Sequence, residues 1–187
     1  KNPVDRSRLG NLYPSKSSHK ANPLTLDQLD TLIAHSSDHY RAMTEFIART
    51  GLRMSEVREL RVKDLRLTGI SPSQRNYATH PVLKVERAVV NVQKFDAAGN
   101  PITRERNGKT VNVYEDIIDT PKSGQQREVP LTPRAVQIAK TAAKGKGQGD
   151  LLFTSSTGGT VNRRGFATSL TDAVQRAGIE TETGQPI

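Results

Sequence analysis

Apolar residues recur at helical spacing in the first third of the chain. Leu26, Leu29, Leu32 and Ile33 form a stripe that predicts a helix, and Thr25 with Gln28 three positions on fits a capping box at its start. Tyr40, Met43, Phe46 and Ile47 predict a second helix, opened by Asp38 and closed by Gly51 as a C-terminal cap. Ser55 reads as the cap of a short third helix carrying Val57 and Leu60. Glu56 lies in its first turn, where the helix dipole favours an acid. The period then changes. Val82, Val85, Val89, Val90 and Val92 predict a strand, Val111, Val113, Ile117 and Ile118 a second, and Arg127 to Leu131 a short third. Pro121-Lys122-Ser123-Gly124 is a turn, so the last two strands are expected to form an antiparallel hairpin. Residues 93–110 read as an insertion before the second strand. Helical spacing returns after Pro133, a favoured first helical residue, with Val136, Ile138 and Ala139 facing inward. Leu151-Leu152-Phe153 is a short buried segment. Asn162 caps a last helix with Phe166, Leu170, Val174 and Ala177 inward and Gly178 at its end.

The layout is helices, a small antiparallel three-stranded sheet, then helices, which is an α+β class with a mainly helical core. Residues 1–23 differ: three prolines, the run Ser15-Lys16-Ser17-Ser18 and little apolar content predict a linker leading into a domain at 24–187. No internal repeat is visible. No apolar run approaches the 18 residues of a spanning helix, and the polar, basic N-terminus carries no signal-peptide core.

The 187 residues suffice for one domain with a real core. Cysteine is absent, which excludes disulfides, thiolate metal sites and a cysteine nucleophile, and fits a cytoplasmic protein. Lys and Arg number 28 against 19 acids, a net charge of +9. The excess is uneven: residues 1–22 and 121–187 each carry +4, while 23–70 are neutral. Such a charge favours polyanionic partners, nucleic acid first and an anionic membrane surface second.

Several patterns look like chemistry and fall short of it. Asn107-Gly108-Lys109-Thr110 lacks the earlier glycine of a phosphate loop, since position 103 is Thr. His35 and His39 are four apart, but Ser36-Ser37-Asp38 breaks the helix between them and no Glu accompanies them. Glu115, Asp116 and Asp119 resemble a metal nuclease cluster, yet side chains alternate along a strand and these three do not all share a face. No metal site is expected. One segment is more specific: Ala48 to Leu60, with Arg53 on the turn between a glycine cap and the next helix. A guanidinium there can give paired hydrogen bonds to a phosphate, or it can simply pair with an acid such as Glu56.

That segment, Thr-Gly-Leu-Arg-Met-Ser-Glu-Val-Arg-Glu-Leu followed by Val62-Lys63-Asp64-Leu65, resembles the first catalytic box of the tyrosine recombinases, the phage integrase family. Three later features agree in order. Thr120 to Gly124 with Arg127-Glu128-Val129-Pro130-Leu131 resembles the family's β-hairpin with its catalytic lysine. Leu152-Phe153, a glycine-containing loop and Phe166 resemble the next segment. Gln175-Arg176-Ala177-Gly178-Ile179 resembles the helix end before the second box. The resemblance covers residues 24–180 and, more weakly, the linker.

The resemblance implies DNA breakage and rejoining without metal or small-molecule cofactor. A tyrosine attacks the scissile phosphate and forms a 3′-phosphotyrosyl link. Arg53 becomes the first catalytic arginine, Glu56 its acidic support and Lys122 the general acid on the leaving 5′ oxygen. The expected partners are double-stranded DNA and, in a full-length protein, other recombinase protomers, with a nucleoid location in the cytoplasm. The family's His-x-x-Arg box and nucleophile follow the helix at 175–179. Here the tyrosines are Tyr13, Tyr40, Tyr77 and Tyr114, and none matches the nucleophile. The chain thus reads as the N-terminal two thirds of a catalytic domain, monomeric, binding DNA without cutting it. Arg163 and Arg164 at a helix start, Lys16 and Lys20 in the linker, and Ser123 beside Lys122 are the expected DNA contacts. The competing reading is a non-catalytic basic DNA-binding module; a metal nuclease is a third.

Overall fold

The computed structural model describes residues 23–67, 80–121 and 124–179. Of the residues singled out above, Tyr13, Lys16, Lys20, Tyr77, Lys122 and Ser123, and with them nearly all of the expected linker, lie outside the described residues.

Helix α1 spans Leu26–His35, and Thr25 closes the expected capping box, its hydroxyl accepting from the Gln28 amide at 3.2 Å while Gln28 Oε1 accepts from the Thr25 amide at 2.9 Å. Leu32 and Ile33 are buried, whereas Leu26, expected on the inner stripe, is 80% exposed. Helix α2 spans Asp38–Thr50. Its cap is Ser37, not Asp38, which is instead the first helical residue and pairs with Arg41. Gly51 ends it at φ 65°, the left-handed conformation that glycine adopts without steric cost. Helix α3 is one turn, Met54–Val57, with Arg53 at the cap position and Ser55 inside the helix. The cap expected from Ser55 is supplied from the other side, by Glu56 reaching back to the Arg53 amide.

Helix α4, Pro133–Ala143, has Thr132 as cap and proline in its first turn. Helix α5, Arg163–Ala177, has the Asn162 cap, with Oδ1 accepting from the Gly165 amide at 2.9 Å, and ends at Gly178 with φ 62°. Helices α2 and α4 and the first sheet enclose the main core around Met43, Phe46, Leu83, Leu152 and Val161, all nearly inaccessible. Phe46 and Phe153 pack at 5.3 Å between centroids with rings tilted 53°. A second cluster, Leu32, Ala173, Val174 and Ile179, joins α1 to α5. Arg176 adds two hydrogen bonds to the His35 carbonyl, a cation at the C-terminal end of α1.

The strands are β1 (Leu65–Arg66), β2 (Val82–Val85), β3 (Ala88–Gln93), β4 (Thr103–Arg106), β5 (Lys109–Asn112), β6 (Tyr114–Asp119) and β7 (Arg127–Pro130). A three-stranded antiparallel sheet is present as β1-β2-β7, alongside the two-stranded sheets β3-β6 and β4-β5, but its members differ from those expected: β1 is not among the expected strands, the first expected strand is divided into β2 and β3, and the second lies outside this sheet. A second expectation is corrected. Strands β6 and β7 do not form a hairpin with each other. Instead β7 pairs with β2, from Val82↔Pro130 to Val85↔Arg127, and β6 pairs with β3, from Ala88↔Asp119 to Gln93↔Tyr114. One side of the pairing is thus the near-continuous run 82–93. On the other side the chain leaves the ladder after Asp119 and rejoins it at Arg127, opposite a gap of only Glu86 and Arg87. The insertion also has its own order: Asn107 and Gly108 at positive φ turn β4 back onto β5, with Arg106 opposite Lys109.

Candidate functional site

Gly51 stops α2 and Arg53 opens α3, so the segment between them is held at both ends by helices. Glu56 is the organising residue. Its side chain is only 2% exposed. Oε2 accepts from the Arg53 amide at 2.9 Å and Oε1 from Arg53 NH1 at 3.3 Å. Arg127, arriving at the start of β7, donates NH1 to Oε1 and NH2 to Oε2, each at 2.8 Å. Burial pushes the Glu56 carboxyl up, but the hydrogen bonds from Arg127 and Arg53 outweigh it and hold the group below its ordinary value. The same hydrogen bond raises Arg127 above the usual guanidinium range. Glu56 is therefore a fixed anion at neutral pH.

The two arginines consequently differ. Arg127 spends both terminal nitrogens on Glu56. Arg53 gives the carboxylate one nitrogen at the long end of hydrogen bonding, and its side chain stays 55% exposed. Its Nε and NH2 have no protein partner among the described residues. Of the two roles open to Arg53, pairing with Glu56 takes only part of the guanidinium, and the free edge suits a phosphate. Arg127 gave no sign of this in the sequence, because its partner lies 71 residues away. The β7 register brings it there. On either side of positions 122 and 123, the Gly124 amide donates to the Pro121 carbonyl at 2.7 Å.

Next after α3, Arg58 is nearly buried and equally committed. Its Nε donates to the Val161 carbonyl at 2.6 Å, and its terminal nitrogens engage the Asp116 carboxylate. Burial raises the Asp116 carboxyl, while Arg58 and Asn91 together draw it below its ordinary value. The acids Glu115 and Asp116 take separate partners as the strand alternation requires: Glu115 pairs with Lys94 at 3.0 Å and Asp116 with Arg58. Of the candidate histidines, His35 Nδ1 lies 2.9 Å from the Thr31 carbonyl and His39 packs edge-on against Tyr40. Among the described residues no group of three or more His, Cys, Asp or Glu is placed to hold a metal ion. No described helix is long and apolar enough to cross a membrane.

Tyr40 is half-buried with its ring edge-on to Phe166 at 5.4 Å, and Tyr114 stands exposed on β6. Arg163 and Arg164 are the first two residues of α5, both exposed.

Residues 22–70, which contain Arg53 and Glu56, match the model of the phage integrase family. Over 85 residues the chain is 34% identical to the putative prophage phiRv2 integrase of Mycobacterium tuberculosis, an overlap of 46% of this chain and 20% of that protein. The fold is shared with the Tn1549 transposon integrase solved in complex with a circular intermediate DNA, at a TM-score of 0.59 and 17% identity, over 91% of this chain and 49% of that one. It is shared also with XerA recombinase, at a TM-score of 0.52 and 18% identity, over 90% of this chain and 46% of the other. The chain thus spans about half the length of these solved relatives and a fifth of the curated one.

Proposed function

We propose, for a chain that matches the phage integrase family at residues 22–70 and has a recombinase fold around them, that it supplies the phosphate-engaging half of a DNA breaking and rejoining site. The parent activity is site-specific recombination or integration through a phosphotyrosyl intermediate. Residues 24–187 are read as the N-terminal part of its catalytic domain, with 1–23 as the linker leading in. The substrate is double-stranded DNA, the site of action is the nucleoid, and strand exchange joins this protomer to others of its kind. Alone, the piece is monomeric.

The carrying observation is the hold of Glu56 on Arg53. Phosphoryl transfer needs little covalent help from a protein beyond positioned charge. A guanidinium fixed by its own amide and one nitrogen, with the remaining edge free, meets a scissile phosphate without reorganising. Lys122, between Pro121 and Gly124 in the sequence, is assigned the proton for the leaving 5′ oxygen, because an alkoxide leaves poorly at neutral pH. Ser123, next to it in the sequence, is assigned a DNA contact. Lys16 and Lys20 are assigned to the DNA backbone as the linker crosses it. Neither Glu56 nor any of the four tyrosines takes the nucleophile's place.

Arg53→Ala separates this reading from that of a plain DNA-binding module. If Arg53 serves chemistry, the affinity for labelled duplex DNA of arbitrary sequence changes less than about threefold, the small share expected of one phosphate contact among several. A loss of an order of magnitude or more would move Arg53 into the binding surface and remove the catalytic assignment.

A further inference from the structure

The β4–β5 hairpin and the start of α5 face each other across a cleft of about 980 Å³. Arg104 and Arg106, two apart on β4 and so on one face of the hairpin, line it from one side, and Arg163 and Arg164 line it from the other. All four are exposed, and none forms an ion pair or side-chain hydrogen bond among the described residues. Glu105, the acid between the two hairpin arginines, points to the opposite face and takes a hydrogen bond from Thr110. Asp116, the one carboxylate lining the cleft among the described residues, is already paired with Arg58. Four positive charges therefore line the cleft with no counter-charge among the described residues.

Such an arrangement costs free energy unless an anion fills it. One phosphate group is satisfied by one or two guanidiniums. Four of them, spread over two elements and a cleft this long, fit a run of phosphates. Guanidiniums from both sides suit a backbone passing between, and the α5 amides not used by the Asn162 cap add donors at one wall.

We propose that this cleft grips successive phosphates of a DNA strand, as a contact region separate from Arg53 and contributed in part by the insertion. The proposal rests on the reading of the chain as DNA-acting. It makes the β4–β5 hairpin a DNA-holding arm and gives Arg163 and Arg164 partners that the sequence did not show.

The test is anisotropy of a fluorescein-labelled duplex of arbitrary sequence with the whole 187-residue chain, at several salt concentrations. Three double variants accompany the wild type. Arg104→Ala with Arg106→Ala should weaken binding about tenfold and flatten the log-affinity against log-salt slope by about 2, near 0.9 for each phosphate no longer neutralised. Arg104→Lys with Arg106→Lys should keep most of the slope. Lys140→Ala with Lys144→Ala, at the end of α4 and outside the cleft, removes the same charge and should leave slope and affinity nearly unchanged. Circular dichroism checks that each variant is folded. If the hairpin variant binds like wild type, or the α4 variant weakens as much, the cleft assignment is overturned while DNA binding stands. If the wild type itself does not bind, the functional reading falls first and the cleft with it.

Discussion

Arg127 and Glu56 meet in a two-point contact, NH1 to Oε1 and NH2 to Oε2, both at 2.8 Å. It ties the first residue of β7 to the helix that presents Arg53, so β7 and α3 share one carboxylate. Removing Arg127 leaves a buried anion with only the weaker Arg53 contacts. Arg127→Ala should therefore cost about 3 kcal/mol, the scale of a broken buried pair. At this chain length that is roughly 6–12 °C of melting temperature by scanning fluorimetry. A shift below about 1 °C would show that Glu56 does not depend on Arg127.

Acid sensitivity follows from carboxylates held below their ordinary values, among them Glu45, Glu56 and Asp116. For Glu45 the hydrogen bond from Arg134 leads, with burial opposing it. For Glu56 and Asp116 burial opposes and arginine hydrogen bonds prevail. A depressed folded value means stability that is whole above the unfolded value, 4.5 for Glu and 3.8 for Asp, and lost as pH falls through the folded one. The melting temperature should stay level from neutral pH down to about 5 and then fall steeply. Glu45→Gln, which removes one such group, should make the acid limb shallower; an unchanged limb would exclude Glu45 as a source.

Gly51 sits at φ 65° two residues before Arg53, and a Cβ there would meet nothing within 4 Å. Gly51→Ala therefore tests backbone conformation alone. It should lose about 1–2 kcal/mol, the penalty of a left-handed alanine. Gly178, at φ 62° with equally open surroundings, should behave alike. Chemical denaturation of both variants checks this, and a neutral Gly51→Ala would mean that the turn before Arg53 is not fixed by its glycine.

If, as proposed, no tyrosine of this chain serves as the nucleophile, incubation with a nicked suicide duplex should leave no covalent protein–DNA adduct on a denaturing gel. An adduct would place a nucleophile within these 187 residues and overturn the reading of the piece as binding without cutting.

What the sequence makes visible is what local spacing governs. The Thr25 box, the Gly51 and Gly178 caps and the Asn162 cap each depend on neighbours three or four positions away, and each is present. The Ser55 cap fails because a carboxylate at Glu56 can cap from inside the helix as well as a hydroxyl from before it. Strand partners are hidden for a different reason. Pairing of β6 with β3 and of β7 with β2 depends on a change of partner between Asp119 and Arg127, which no period announces. The β4–β5 hairpin has exposed residues at nearly every position and so no apolar alternation; the Asn107-Gly108 pair is its one signal. Arg53 is marked by its place on a turn. Arg127, Arg58, Arg104 and Arg106 look like ordinary surface charge in the sequence, and only the fold separates the committed pair from the two left free.

The central claim is that this chain engages DNA through unpaired arginines. The most direct measurement is duplex affinity over a range of salt. A straight log–log plot is expected, with a slope steeper than about −3.6: the four cleft arginines release counterions at about 0.9 each, and Arg53, Lys16 and Lys20 add to that. A slope near zero would contradict it.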